Sequence, residues 1–228
     1  MSGNKDNYRY RVYYARFEIA AWIAHLDLMR VFQRASKRAD LPLVYTQGFN
    51  PRPIMEFALP IGVGIETRNE PFDFLLSQKM NIEDIKNNLN AKLPNGLEIV
   101  RVESLSSDVK NLMSLVNAAE YQISADGLGT VVKNYYFDNS NPLFASRERK
   151  GKIREYQIRD YIIKLKIIDN NTVTYISKAG SAENLRPDLF LQAFIAAKQI
   201  SEETALNAII IRKNVYLTEE KICGRDRI

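Results

Sequence analysis

The stretch HLDLMRVFQRASKRAD (His25–Asp40) decides the fold that the sequence predicts, because its apolar residues recur at helical spacing. At 100° per residue one face is apolar, and it holds Leu28, Phe32, Ala35 and Ala39. The opposite face collects the cations around a single carboxylate: Arg30, Arg34, Lys37 and Arg38, with Asp27 among them. This pattern predicts a helix that buries one side and exposes a basic side.

Strands flank this helix on both sides. YRYRVYYARF (Tyr8–Phe17) precedes it and is aromatic and β-branched, as strands are. The segments that follow are a strand IMEFALPIGV (54–63), a strand EPFDFLLS (70–77), a helix NIEDIKNNLNAKL (81–93) with Asn81 as its N-cap, and a strand GLEIVRVESL (96–105). The order β-α-β-β-α-β is that of a ferredoxin-like domain.

The second half of the chain repeats this order. Its predicted strands are AAEYQISAD (118–126), LFASRERK (143–150), YQIRDYIIKLKIID (156–169), TVTYISK (172–178) and NAIIIRKNVYL (207–217), and its predicted helices are GLGTVVKNYYF (127–137) and RPDLFLQAFIAAK (186–198). The sequence therefore predicts an α+β protein with two tandem ferredoxin-like (βαββαβ) domains, each with an antiparallel sheet. The domains span 8–105 and 118–217, joined by a connector at 106–117 that includes a short helical turn. A disordered N-terminus (1–7) and a tail (218–228) flank them.

Composition excludes several classes of function. No apolar run approaches the roughly 20 residues that cross a bilayer, and the polar start MSGNKDN is unlike a signal peptide, so we expect a cytoplasmic protein with no membrane partner. With one cysteine (Cys223) and one histidine (His25), the chain cannot by itself supply the ligands of a zinc site or an iron–sulfur cluster. We expect no metal and no cofactor. The net charge of +5 permits an acidic partner such as RNA.

The segment QGFNPRP (Gln47–Pro53), here called the arch, combines residues that restrict the backbone. Asn50 and Arg52 each precede a proline and are therefore held extended, while Gly48 permits a turn with positive φ. We expect a stiff, exposed loop that offers several groups for binding: Tyr45, Gln47, Phe49, Asn50 and Arg52. The alternative is a structural connector in which Phe49 fills the core and Arg52 pairs with a carboxylate such as Glu56.

Two other positions are candidate anion contacts. His25 opens the basic helix, where free backbone N–H groups attract anions, although a capping or core-edge histidine is the equal alternative. Arg186 stands before Pro187 at the start of another helix. The basic stretch Ser146–Arg159 is better explained as a hairpin whose outward charges protect a sheet edge.

Three blocks of the chain resemble a known family. HLDLMRVFQRASKRADLPLVYTQGFNPRPIMEFALPIGVGIE (25–66), SLVNAAEYQI (114–123) and NLRPDLFLQAF (184–194) are similar to the bacterial radical-SAM-linked protein family, a domain of unknown function. The likeness runs from about Tyr8 to about Leu217. Matched positions in the first block are His25, Asp27, Arg30, Arg34, Gly48, Phe49, Asn50, Pro51, Arg52 and Pro53. One departure is Asp160, where the family tends to have proline, and it weakens any role for Arg159.

The resemblance implies an accessory role. Members of that family occur alone or fused behind a cobalamin-binding-type radical SAM protein, and are often encoded near a ribonuclease of the RNase G type. The implied partner is therefore a radical SAM protein, and the implied substrate is RNA. The family has no established reaction, so the resemblance assigns no catalytic residue.

Three hypotheses follow. The first is a recognition module without catalysis of its own, which binds RNA or another phosphate-bearing substrate in a cleft between the N-terminus of the first helix and the arch. In it His25 and Arg52 hold phosphate, Arg30 and Arg34 add positive charge, and Phe49 or Tyr45 stacks on a base. The second is an RNA-processing or RNA-modifying enzyme that uses His25 and Asp27, although these residues point about 160° apart on a helix. The third is a protein-docking adaptor without nucleic acid, which predicts an exposed apolar patch.

Overall fold

A computed structural model describes residues 7–106, 110–149, 151–180 and 183–218. The chain divides into two compact units, Met1–Val116 and Asn117–Ile228. Both are mixtures of helices and mostly antiparallel strands, as the sequence predicts at the level of α+β class. The expected disorder at 1–7 and the expected tail at 218–228 fall almost wholly outside the described residues, as do residues 107–109 of the 106–117 connector. None of the described helices combines the length and apolar character that crossing a membrane requires.

Unit 1 (Met1–Val116) follows the order that the sequence predicts, with one added element. Its elements are β1 (Tyr8–Arg16), a 3-10 helix (Glu18–Trp22), α1 (His25–Arg38), β2 (Met55–Phe57), β3 (Glu66–Leu76), α2 (Ile82–Asn90), β4 (Leu97–Leu105) and α3 (Leu112–Leu115). The strands form an antiparallel sheet in the order β4-β1-β3-β2. The added 3-10 helix lies between β1 and α1, where the sequence carries no helical periodicity.

The core of unit 1 is built from the apolar face of α1 and an aromatic layer on the sheet. Leu28, Phe32 and Ala35 are fully buried, which confirms the helical phase predicted from their spacing. The Phe32 ring lies 4.9 Å from that of Phe72 on β3, and Phe57 stacks on Phe72 at the same distance. These contacts fix α1 across the sheet and leave its basic side in solvent.

Buried charges in unit 1 are compensated. Arg11 on β1 donates from Nε and Nη2 to the two carboxylate oxygens of Asp73 on β3, at 2.8 and 3.1 Å. The fully buried Arg16 donates to backbone carbonyls around the 3-10 helix, those of Ile23, Gly62 and Ile65. Since an unpaired buried charge is costly, both arginines have a structural role.

Unit 2 (Asn117–Ile228) is also built from helices and mostly antiparallel strands. Its elements are β5 (Val116–Ser124), α4 (Leu128–Tyr135), β6 (Phe144–Arg149), β7 (Lys152–Gln157), a 3-10 helix (Ile158–Tyr161), β8 (Ile162–Ile167), β9 (Thr172–Lys178), α5 (Pro187–Ala196), α6 (Glu202–Leu206) and β10 (Ile209–Leu217). Within this unit the strand order is β10-β5-β9-β8, and β6 pairs only with β7 as a separate two-stranded sheet.

The single strand predicted over 156–169 is wrong. The chain leaves β7 at Gln157, turns through the 3-10 helix and resumes as β8 at Ile162. The cause is Arg159, whose guanidinium donates to the carbonyls of Tyr136 and Asn141 at 3.0 and 2.6 Å and so ties the turn to the loop after α4. Arg159 thereby has a structural role in unit 2.

Close packing also fixes α4 in unit 2. A Cβ added at Gly129 would overlap the backbone oxygen of Asp169, at the turn between β8 and β9. Thr130 N donates to Asn170 O in that turn at 3.0 Å. Glycine at position 129 is therefore required for the helix to approach the sheet.

Candidate functional site

The arch is the outer part of a hairpin-like loop whose base is closed by backbone hydrogen bonds. Thr46 N donates to Arg52 O at 2.9 Å, and Ile54 N donates to Val44 O at 2.8 Å. The two residues between these bonds, Tyr45 and Pro53, form a bridge at a position where antiparallel strands exchange no hydrogen bonds. The missing N–H of the proline therefore leaves no gap in the ladder, and its ring stiffens the base.

The tip of this loop projects into solvent. Gly48 adopts φ 125°, a conformation that favours glycine, and a Cβ there would meet nothing within 4 Å. The side chain of Phe49 is 104% exposed, so the aromatic ring touches almost nothing. Gln47, Asn50 and Arg52 are exposed as well.

If the arch were only a structural connector, Phe49 would fill the core and Arg52 would pair with a carboxylate such as Glu56, and the structure shows neither contact within the described part of the chain. Phe49 does not enter the core, and the carboxylate of Glu56 accepts a hydrogen bond from Met113 N at 3.2 Å. Among the described residues, no carboxylate forms an ion pair with Arg52. The arch therefore offers an exposed aromatic ring and an uncompensated cation.

The structure places the arch beside the C-terminal end of α1. The Nζ atom of Lys37, in the last turn of that helix, lies 5.5 Å from the centroid of the Tyr45 ring. His25 is the first residue of α1, about 18 Å away along the axis at 1.5 Å per residue. The base of the arch therefore lies beside the end of α1 opposite His25, because the loop that carries the arch begins where α1 ends.

His25 lies at the opposite end of the helix and is half-buried. Its ring packs edge-on against Phe57, with the ring centroids 5.8 Å apart and the planes at 89°. This arrangement agrees with the core-edge alternative for His25.

Asp27 is engaged by a neighbouring cation. Its Oδ1 atom accepts a hydrogen bond from Arg30 at 2.7 Å, and both side chains are mostly exposed. The ion pair neutralises the charge of Arg30 and directs the Asp27 carboxylate along the helix surface. This orientation argues against Asp27 acting with His25 as an acid–base pair. Within the described ranges, no three His, Cys, Asp or Glu side chains come together as a metal site would need.

A basic hollow of about 480 Å³ lies between α1 and the end of α2. It is lined by Val31, Arg34, Arg38, Lys92, Leu93 and Pro94. Arg38 Nη2 donates to the backbone oxygen of Lys92 at 2.7 Å, which holds that guanidinium at the rim. In the part of the chain that the structure describes, none of the three cations forms an ion pair. Lys92 was missed in the sequence, since only tertiary packing brings the end of α2 to Arg34.

Arg186 lies in unit 2 and has a carboxylate partner. It is the N-cap residue of α5, and its Nη2 atom forms an ion pair with Asp188 in the first turn. An anion at this helix start would compete with Asp188. Arg186 therefore adds no free cation to the surface around the arch.

A patch of exposed apolar side chains lies at the N-terminal end of α1. Ile19 and Trp22 are three residues apart on a 3-10 helix and so lie on one side of it, with Trp22 69% exposed. Leu26 follows in the first turn of α1, and Val63 precedes Gly64, where an added Cβ would lie 3.6 Å from the Trp22 ring. We call these four residues the apolar patch. It is a feature that the adaptor hypothesis predicts.

Fold and surface together define an α+β protein of mostly antiparallel strands, whose first unit carries a braced aromatic loop next to a basic helix end. The family model described as "Uncharacterized protein conserved in bacteria (DUF2344)" matches residues 9–187. The chain belongs to that family. No curated protein matches the chain.

Proposed function

We propose that unit 1 binds single-stranded RNA at the arch and the basic C-terminal end of α1, as a recognition module without a reaction of its own. The observation that carries this proposal is the fully exposed Phe49 on a braced loop. Burial of a phenylalanine side chain contributes about 1.5–3 kcal/mol of hydrophobic free energy, and the exposed Phe49 lacks this stabilisation. A base stacked on the ring recovers part of that energy, and stacking accepts any base.

Cations lie on the arch and at the adjacent end of α1, where they could contact a phosphate backbone. Arg52 extends the arch itself, and Lys37 lies at its base over Tyr45. Arg34, Arg38 and Lys92 continue the positive charge into the basic hollow, where no described carboxylate neutralises them. Uncompensated cations beside a stacking platform are the features that non-specific single-strand binding uses.

The strand orders support a finer statement of the fold. With the β6–β7 hairpin set aside, each unit places its strands in the order last, first, third, second: β4-β1-β3-β2 and β10-β5-β9-β8. Helices connect each set in a βαββαβ sequence, with the short α6 added between α5 and β10. We propose that both units are ferredoxin-like, the second with a hairpin inserted after its first helix.

The proposed partner is a radical SAM protein. This proposal rests on the resemblance of the HLDLMR and QGFNPRP blocks, and on a chain with one cysteine that cannot bind a cluster alone. The apolar patch is the surface that we assign to that partner, because exposed Ile19, Trp22 and Leu26 lie at the helix end opposite the arch. RNA and partner would then bind at different ends of α1.

The RNA proposal is tested by measuring binding to single-stranded RNA over a salt series. We expect affinity to fall steeply with salt, and to fall further in Arg52→Ala and in Arg34→Ala. Lys198→Ala, a surface lysine of unit 2, is the matched control and should bind like the wild type. Absence of binding at low salt would contradict the proposal.

The partner proposal needs a separate experiment. Trp22→Ser should abolish association with the radical SAM protein and leave RNA affinity unchanged, because the apolar patch and the arch lie at opposite ends of α1. Leu206→Ser, an equally exposed apolar residue of unit 2, is the control. Association that survives in the Trp22 variant would exclude this surface.

A further inference from the structure

The β6–β7 hairpin of unit 2 is a basic ribbon that forms its own two-stranded sheet, with β6 in contact with α5. The sequence predicts a hairpin whose outward charges protect a sheet edge, and β6 and β7 pair only with each other, so both are edge strands. Gly151 makes the turn with φ 71°, and the register is continuous from Phe144–Gln157 to Arg149–Lys152. Edge protection explains charged residues on both strands, but it does not explain why two cations lie directly opposite each other.

The register places two arginines directly opposite each other. Arg147 pairs with Arg154, and both side chains are exposed. Opposed residues on antiparallel strands have Cβ atoms about 4.5–5.5 Å apart, and like charges at that distance destabilise the pair. Two residues further along, the register pairs Arg149 with Lys152, so the next opposed pair is also cationic in sequence.

Carboxylates that could relieve this repulsion are at other register positions. Glu155 is opposite Ser146, and these two residues are the sequence neighbours of Arg154 and Arg147. Because neighbouring side chains on a strand point to opposite faces, Glu155 lies on the face away from the two arginines. Among the side chains that the structure describes, no ion pair involves Arg147 or Arg154. One face of the ribbon thus keeps a repulsive pair of guanidinium groups.

We infer that the Arg147–Arg154 face of the hairpin is a second contact for the phosphate backbone of single-stranded RNA. The inference rests on the proposed function of unit 1 and extends it to unit 2. A phosphate between the two guanidinium groups accepts hydrogen bonds from both and removes their repulsion. Tyr156, two residues from Arg154 on the same strand and half-buried, gives this face an aromatic edge for the adjacent sugar or base.

The decisive variant is Arg154→Glu, which places a carboxylate opposite Arg147. Replacing repulsion by attraction should keep or raise the thermal stability of the protein, so that weaker binding cannot be attributed to misfolding. We expect at least a tenfold loss of affinity for a long single-stranded RNA at low salt. Lys164→Glu, the same charge change on β8 of the same unit, is the matched control and should lose little.

A second variant measures the phosphate contacts directly. In Arg147→Ala/Arg154→Ala, loss of the one phosphate held between the two guanidinium groups should reduce the slope of log affinity against log salt by about 0.7, the contribution of one phosphate on a single strand. Lys164→Ala/Lys166→Ala removes the same charge from β8 and should leave the slope unchanged.

The outcomes separate the two proposals. If Phe49→Ala weakens binding while both hairpin variants bind like the wild type, the ribbon inference is overturned and unit 1 remains the RNA site. Failure of the wild type to bind RNA overturns both. Equal losses for RNA and for polyglutamate in the hairpin variants would show a generic acidic-partner surface and overturn the inference as stated.

Discussion

The ammonium nitrogen of Lys37 lies 5.5 Å from the centroid of the Tyr45 ring, and this contact ties the base of the arch to the last turn of α1. A cation over an aromatic face at an exposed site contributes about 0.5–1 kcal/mol. The contact explains how a loop with an exposed tip keeps a fixed position relative to the basic helix end.

Removing the Tyr45 ring should loosen the arch without unfolding the protein. In Tyr45→Ala we expect global stability to fall by no more than about 1 kcal/mol, the size of the cation–π contact. The free energy of RNA binding should weaken by more than the free energy of unfolding does, because the loosened arch must be ordered when RNA binds. Tyr45→Phe keeps the ring and should behave like the wild type in both chemical denaturation and binding. Equal affinity for the Ala and Phe variants would show that the ring does not position the arch.

The buried Arg11–Asp73 pair predicts a large loss of stability in unit 1. Burial by itself lowers the pKa of Arg11, but the hydrogen bond and charge of Asp73, with Tyr13, raise it above its ordinary value, so the guanidinium stays charged. Asp73→Ala would leave that charge unpaired and should cost about 3–5 kcal/mol in urea denaturation. Asp27→Ala removes an exposed carboxylate of the pair with Arg30 and should cost about 0.5 kcal/mol or less. Similar losses in the two variants would refute the account of the buried pair.

Arg159 should matter for the stability of unit 2 and not for RNA binding. Its guanidinium also donates to Asp138 O at 3.0 Å, so Arg159→Ala leaves several loop carbonyls without their donor. We expect a loss of about 2 kcal/mol in thermal or chemical denaturation, the usual size for hydrogen bonds to a charged group. The affinity of Arg159→Ala for RNA, measured below the unfolding transition, should match the wild type. A selective loss of binding would instead assign Arg159 to the ligand.

The turn around Asp138 should respond to acid. The Oγ atom of Ser140 donates to this carboxylate at 2.6 Å and its backbone N–H at 3.0 Å, and these bonds lower the pKa of Asp138 below its ordinary value of 3.8. Because the pKa of Asp138 is lower in the folded state, its ionised carboxylate stabilises the turn at pH values above the pKa of the unfolded state. This stabilisation is lost as the pH falls through the pKa of the folded state. An NMR titration should place Asp138 below 3.8 in the wild type and closer to it in Ser140→Ala. An unchanged midpoint in the variant would contradict the assignment.

Local signals in the sequence predicted most of the elements. The 3.6-residue spacing of Leu28 and Phe32 predicted the buried face of α1, and Asn81 caps α2 as expected by accepting from Glu83 N at 2.8 Å. Both signals depend on residues within a few positions of each other. Such patterns can be recognised in a single sequence because helix capping and the burial of one helix face depend on residues that are close along the chain.

Features set by distant contacts were not predictable in the same way. The 3-10 helix at Glu18–Trp22 follows Phe17, whose N–H donates to Gly96 O at 2.9 Å, and no local pattern shows that bond. The break between β7 and β8 depends on Arg159 reaching back to the loop after α4. The approach of Lys92 to Arg34 likewise required the packed structure.

The position of the base of the arch at the C-terminal end of α1 follows from chain direction alone. The arch follows the end of α1 in sequence, and thus starts at the C-terminal end of the helix, away from His25. The exposed residues of the arch did follow from local chemistry, since prolines and a glycine keep this segment out of a sheet and on the surface.

The most direct test of the central claim places a fluorescent reporter at the tip of the arch. Trp22 is the only tryptophan of the chain, so the double variant Trp22→Phe/Phe49→Trp carries a single indole at position 49. We predict that single-stranded RNA quenches this emission in step with binding, because a base stacks on the ring, and that Trp22→Phe/Phe49→Ala binds more weakly. RNA that binds with unchanged emission, or with equal affinity when the ring is absent, would contradict the account.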